Sequence, residues 1–89
     1  MIEREAEIVN RLGLHARAAA KLVHTAGGFK SRIMVVKDGE EVDAKSILGI
    51  LLLAAAQGSR ITVRCEGQDE AEALQAVTGL IADRFGEES

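Results

Sequence analysis

The chain has 89 residues, with 11 Lys and Arg against 14 Asp and Glu, so it carries a formal charge of −3 with neutral histidines. Hydrophobic residues make up 47% and charged residues 28%, the balance of an ordinary globular domain spanning residues 1–89, which excludes intrinsic disorder. The mild acidity and the presence of only two aromatics, Phe29 and Phe85, exclude a nucleic-acid binder, which wants a basic surface and stacking platforms.

Residues 3–9 alternate. Ile2, Ala6 and Ile8 fall on one side with Arg4, and Glu3, Glu5 and Glu7 on the other, the period of a half-buried strand. Ala16, Ala19, Ala20, Val23 and Ala26 recur at helical spacing, and Gly27-Gly28 ends the helix. Residues 31–37 are rich in β-branched side chains and predict a strand. Lys37-Asp38-Gly39-Glu40 predicts a hairpin, because Asp-Gly accepts the positive φ of a tight turn, and residues 40–44 return along the strand before it. Ser46 is placed to cap a helix that runs to about Ala56 and stops near Gly58. Residues 60–66 alternate again, with Ile61, Val63 and Cys65 opposite Arg60, Thr62, Arg64 and Glu66. Asp69 is placed to cap a last helix, with Glu70 and Glu72 in its first turn and an apolar stripe of Leu74, Val77, Ile81 and Phe85. The predicted order is βαββαβα. It is an α+β architecture whose antiparallel sheet keeps one wet face and carries its helices on the other.

Few side chains offer chemistry. His15 stands where a loop becomes a helix, between Gly13-Leu14 and Ala16-Arg17. A neutral imidazole is a nucleophile near neutral pH. The unpaired N–H groups of a first helical turn hold anions, and Arg17 adds a guanidinium for the same oxygens. Gly13 allows a sharp turn or close backbone approach. The constellation suits a phosphohistidine, although an isolated histidine at a helix start also serves as a cap or a surface residue.

Gly13-Leu14-His15-Ala16-Arg17-Ala18-Ala19 resembles the active-site motif of HPr, the histidine-containing phosphocarrier of the bacterial phosphotransferase system. Lys45-Ser46-Ile47-Leu48-Gly49 resembles the regulatory-serine motif of the same family, at the same spacing. The resemblance implies an open-faced β-sandwich: a four-stranded antiparallel sheet in the order 1-4-2-3 with three helices on one face. It implies that His15, through Nδ1, takes a phosphoryl group from phosphorylated enzyme I and passes it to the A domain of a sugar-specific enzyme II, with Arg17 balancing charge. It further implies a stoichiometric carrier rather than an enzyme, without metal or cofactor, and monomeric; the cytoplasm is the default compartment for a chain start without a signal-peptide pattern and an apolar run too short to span a bilayer. Ala16, Ala20, Ile47, Leu48 and Leu51 would form the partner-docking surface, and Ser46 would be the target of HPr kinase/phosphorylase where a cell has one. One residue departs from the pattern. Ala18 stands where the family usually has Pro, which keeps helix propensity but restores an N–H and loosens the helix entry.

Two other classes of function stay open at this point. One is a regulatory HPr-like protein that signals nitrogen or carbon status by its phosphorylation without carrying sugar flux. The other is a small interaction domain without phosphate chemistry, against which the His15–Arg17 pair speaks. The helix after Ser46 bears on both. Ile50, Leu53 and Ala54 make one apolar stripe, and Ile47, Leu48, Leu51 and Leu52 make another. Such a helix is either packed on every side or presents an apolar patch to partners. Ser46 itself is either a plain cap or a modification site.

The remaining groups have plainer readings. His24 belongs to a solvated helix surface and, nine residues from His15, shares no helical face with it. Cys65, the one cysteine, makes neither an internal disulfide nor a zinc site, and its strand position predicts a buried, inert thiol. Gly27-Gly28 lacks the rest of a nucleotide-binding motif. The row Glu3, Glu5, Glu7 is expected to lie beside Arg60 and Arg64 as cross-strand ion pairs. Residues 1–5 carry no signal-peptide pattern, and the apolar run 50–56 is too short to span a bilayer.

Overall fold

Alternation of apolar and polar residues builds the sheet, and the observed register shows how. A computed structural model describes all residues, Met1–Ser89. Strand β1 (Ile2–Glu7) is followed by helix α1 (Ala16–Gly27), strands β2 (Arg32–Lys37) and β3 (Glu40–Asp43), helix α2 (Ile47–Leu52), strand β4 (Arg60–Glu66) and helix α3 (Glu70–Ala82). The four strands form one antiparallel sheet in the order β1-β4-β2-β3. Both β1 and β2 run against β4, which lies between them. The sequence order and the sheet order are therefore those that the resemblance implies.

Across the sheet, Ile2 pairs with Cys65 and Cys65 with Ile33, while Val63 pairs with Val35 and Val35 with Val42. These residues share the face that the helices cover. With Ile8, Leu22, Ile50, Leu74, Val77, Ile81 and Phe85 they build one core, a cluster of 20 buried residues with partly buried ones around it. Burial of each such Val, Leu, Ile or Phe side chain contributes roughly 1.5–3 kcal/mol. The opposite face is open to solvent. There Arg64 bonds Glu3 at 3.1 Å and Glu41 at 2.9 Å, and Arg60 bonds Glu5 at 3.1 Å and lies 3.8 Å from Glu7. The acidic row is accordingly a set of cross-strand ion pairs. Arg4, on the helix side, sends its guanidinium to Thr78 Oγ1 of α3 at 3.3 Å.

The hairpin forms at Asp38-Gly39, with φ of 52° and 81°, the two left-handed residues of a type I′ turn. Cys65 is fully buried, and desolvation, reinforced by the charges of Glu70 and Asp69, raises its thiol pKa, which suits an inert core thiol. His24 is exposed in the last turn of α1.

The buried face of α1 is Ala18, Ala19, Leu22 and Ala26, and Ala16 and Ala20 point outward. Three expectations need correction. Helix α2 ends at Leu52, not near Ala56, because Ala54 turns left-handed at φ 50° and sends Leu53 and Ala55 into the core. Asp69 occupies the N-cap position of α3 without capping it. Its carboxylate accepts the N–H groups of Lys30 and Ser31, at 2.9 and 2.8 Å, and the Ser31 hydroxyl. The Ser31 hydroxyl first, then the Lys30 N–H, hold the Asp69 pKa down at about 2. Finally, Phe85 lies beyond α3, in a 3₁₀ turn over Arg84–Gly86, yet is still fully buried.

Candidate functional site

The loop before α1 is held from both ends. Asn10 is fully buried; its Nδ2 donates to the Gly13 carbonyl at 2.7 Å, and Gly13 N–H returns a bond to the Asn10 carbonyl at 3.1 Å. Gly13 has φ 66°, and a Cβ there would lie 2.5 Å from the Ala55 carbonyl oxygen. The glycine lets the loop after α2 approach, so that Leu14 N–H donates to that same oxygen at 2.9 Å. Leu14 is buried on one side of His15, and Ala18 and Ala19 are buried on the other. The backbone of His15 is thereby fixed while its side chain faces outward.

His15 is the N-cap residue of α1, with φ −72° and ψ 176°. Its carbonyl accepts the Ala19 N–H at 2.8 Å, but its side chain makes no capping bond. The N–H groups of Ala16, Arg17 and Ala18 find no backbone acceptor. They form the positive end of a twelve-residue helix, a place that favours an anion. Arg11, Leu12 and Arg17 surround the ring in an open depression. Arg11 and Arg17 are exposed and engaged in no ion pair, which leaves two guanidinium groups available.

Sequence reasoning missed Arg11 and, more deeply set in this site, Asn10 and Glu87. His15 Nε2 meets Glu87 Oε2, from the far end of the chain. Glu87 Oε1 accepts the Asn10 side-chain amide at 3.0 Å. The bonds from His15 first, and from Asn10 second, lower the Glu87 pKa. Nothing local in the sequence marks a contact between residues 72 apart. The signal available was Phe85-Gly86, an apolar residue and a glycine just past the end of a helix. Phe85 anchors in the core, Lys21 Nζ holds its carbonyl at 2.6 Å, and Arg84, Phe85 and Gly86 are all left-handed. A left-handed backbone at a residue other than glycine costs about 1–3 kcal/mol and persists where surrounding contacts impose it.

Ser46 caps α2, its Oγ accepting Gly49 N–H at 3.2 Å, and is exposed. Lys45 Nζ reaches the Phe29 carbonyl at 2.8 Å, just past the end of α1, whereas Ala55 meets the start of α1. The two helices pack side by side in opposite senses, so Ser46 lies at the end remote from His15. Ile50 is fully buried, while Ile47, Leu48, Leu51 and Leu52 are 46%, 65%, 37% and 66% exposed. Of the two readings of this helix, the outward apolar patch is the one observed. No group of three or more His, Cys, Asp or Glu side chains is placed to hold a metal ion, and no helix is long and apolar enough to cross a membrane.

A family model described as the PTS HPr component phosphorylation site matches residues 2–83. The chain belongs to the HPr family. It is 52% identical to the phosphocarrier protein HPr of Cupriavidus necator, with 98% of each chain covered. It is 51% identical to that of Xylella fastidiosa (strain Temecula1) over the whole of both chains. Among solved structures, an HPr of Thermoanaerobacter tengcongensis superposes with a TM-score of 0.97 at 49% identity, covering both chains fully. A second structure from that organism, described as an HPr dimer, superposes at 0.79 over 98% of this chain and 100% of that one, at the same identity. A dimer is thus among the forms solved in the family. Membership supports a phosphocarrier role in the phosphotransferase system.

Proposed function

We propose that His15 is the carrier residue, taking a phosphoryl group at Nδ1 from phosphorylated enzyme I and passing it to the A domain of an enzyme II. The observation that carries this reading is the state of the ring: Nε2 is engaged by Glu87, the backbone of the residue is fixed, and the free N–H groups of Ala16 to Ala18 lie beside it. The lone pair on Nδ1 attacks phosphorus, an N–P bond forms, and the donor's bond to phosphorus breaks. Positioning by the partner supplies most of the acceleration, and Arg17 with the helix end balances the charge on the phosphoryl oxygens. Ala18 in place of the usual Pro adds one donor to that end. The chain works as a stoichiometric carrier in the cytoplasm.

Docking falls to Ala16 and Ala20 on α1 and to Ile47, Leu48 and Leu51 on α2, all exposed on the two packed helices. Ser46 regulates that docking. Phosphorylated by HPr kinase/phosphorylase, it would bring roughly −1.5 to −2 charges to the start of α2, tolerated by the helix but adjacent to the apolar patch. Incubation with enzyme I and phosphoenolpyruvate tests the carrier assignment. One acid-labile, base-stable phosphoryl group is expected, lost in His15→Ala and kept in His24→Ala. Labelling of the His15→Ala protein overturns it.

A further inference from the structure

We infer that Glu87 is a positioning residue for phosphoryl transfer, a carboxylate that holds the proton on Nε2 of His15 and so presents Nδ1 as the nitrogen with the lone pair. The inference rests on the reading of His15 as the carrier. A neutral imidazole has one N–H and one lone pair, and an ionised carboxylate only accepts. The ring nitrogen in contact with Glu87 therefore bears the hydrogen, and the other nitrogen is the nucleophile.

The contact is built rather than incidental. The Glu87 side chain is only 15% exposed, and its second oxygen is taken by the buried amide of Asn10. That same amide ties down the Gly13 carbonyl two residues before His15, so one side chain sets both the ring's backbone and its carboxylate partner. The tail reaches this place through consecutive left-handed residues, Arg84, Phe85 and Gly86, with Phe85 in the core and Lys21 on its carbonyl. Backbone strain retained next to a reactive side chain is a common mark of positioning. The depressed Glu87 pKa, caused first by His15, keeps the carboxylate ionised in this role.

The chemistry balances without a proton transfer. When Nδ1 attacks, the N–P bond forms and the ring becomes a phosphoimidazolium, whose positive charge the Glu87 carboxylate faces. When the group moves on, the N–P bond breaks and its electron pair returns to Nδ1. The Nε2 proton stays in place throughout. An orienting carboxylate behind a reacting histidine does comparable work in serine hydrolases.

Glu87→Gln and Glu87→Asp test this with enzyme I, phosphoenolpyruvate and ¹⁵N-labelled protein. In the unphosphorylated wild type, the His15 proton is expected on Nε2 as a protected, downfield N–H resonance that Glu87→Gln loses. In Glu87→Gln, kcat for transfer from enzyme I is expected to fall about tenfold with KM within a factor of two, and Glu87→Asp to recover part of the loss. A loss of fold would raise KM and lower the melting temperature instead. If the wild type takes no phosphoryl group, the carrier reading falls and the inference with it. If the wild type is labelled and Glu87→Gln matches or exceeds its rate, only the role of Glu87 falls; a faster variant would mark the tail as an obstacle. A wild-type lone pair found on Nε2 also overturns it.

Discussion

Gly13→Ala tests how the fold delivers His15 to the surface. At φ 66° an alanine meets its own carbonyl, at a cost of about 1–2 kcal/mol. The new Cβ would stand 2.5 Å from the Ala55 oxygen and 3.0 Å from Ala56 Cα, both backbone atoms that yield only if the loop moves. Moving it strains the packing by about 1–3 kcal/mol and weakens the Leu14–Ala55 hydrogen bond, worth about 0.5–1.5 kcal/mol. Together these come to about 2.5–6.5 kcal/mol, a large share of the roughly 5–15 kcal/mol that stabilises a small domain. At about 4–8 °C per kcal/mol for a chain of 89 residues, the fall in Tm is at least roughly 10 °C, read by circular dichroism. Gly39→Ala is the control. It shares the positive φ, at 81°, but nothing lies within 4 Å of its Cβ, so only the conformational cost remains, roughly 4–16 °C. Equal falls in the two variants would show that the close approach of residues 55–56 does not constrain the site.

Leu48→Asp should leave the Tm within about 4 °C, since the side chain is 65% exposed and surface changes cost little, while raising the KM of enzyme I for this protein; a collapse of Tm would show that Leu48 is core. Ser46→Asp should likewise raise that KM and spare the fold, and unchanged kinetics with both the variant and genuinely phosphorylated protein would leave Ser46 as a cap alone. Asp69→Asn should destabilise the protein at neutral pH, because an amide cannot accept all three donors from Lys30 and Ser31. The folded pKa of about 2 lies below the ordinary 3.8, so Asp69 stabilises above pH 4 and loses that contribution as pH falls toward 2. The gap between wild type and variant in denaturant midpoint should therefore close between pH 4 and 2, and a gap constant with pH would refute the assignment.

The elements follow from local pattern. Alternation at residues 60–66 and at the first strand, the Asp38-Gly39 turn and the Gly27-Gly28 stop each act through neighbours in the chain, and each stands where the pattern put it. His15 and Arg17 were legible for the same reason, as residues whose chemistry depends on a helix start beside them. The departures share a different cause. The alanines at 54–56 favour a helix, but Leu53 and Ala55 gain more by turning into the core and by meeting Leu14. Ala16, Ala19 and Ala20 look alike in sequence, and only the seating of α1 on the sheet decides that Ala19 is buried and the other two exposed. Asp69 has a local use as a cap, yet the N–H groups of Lys30 and Ser31, brought alongside by tertiary packing, are the donors it accepts. Glu87 had no readable role until Phe85 entered the core and the left-handed turn carried the chain back to His15. Residues set their own φ, ψ and period, and these are local energies. Which donor meets which acceptor across 72 residues depends on where the core places the two segments, and only the tertiary structure decides that.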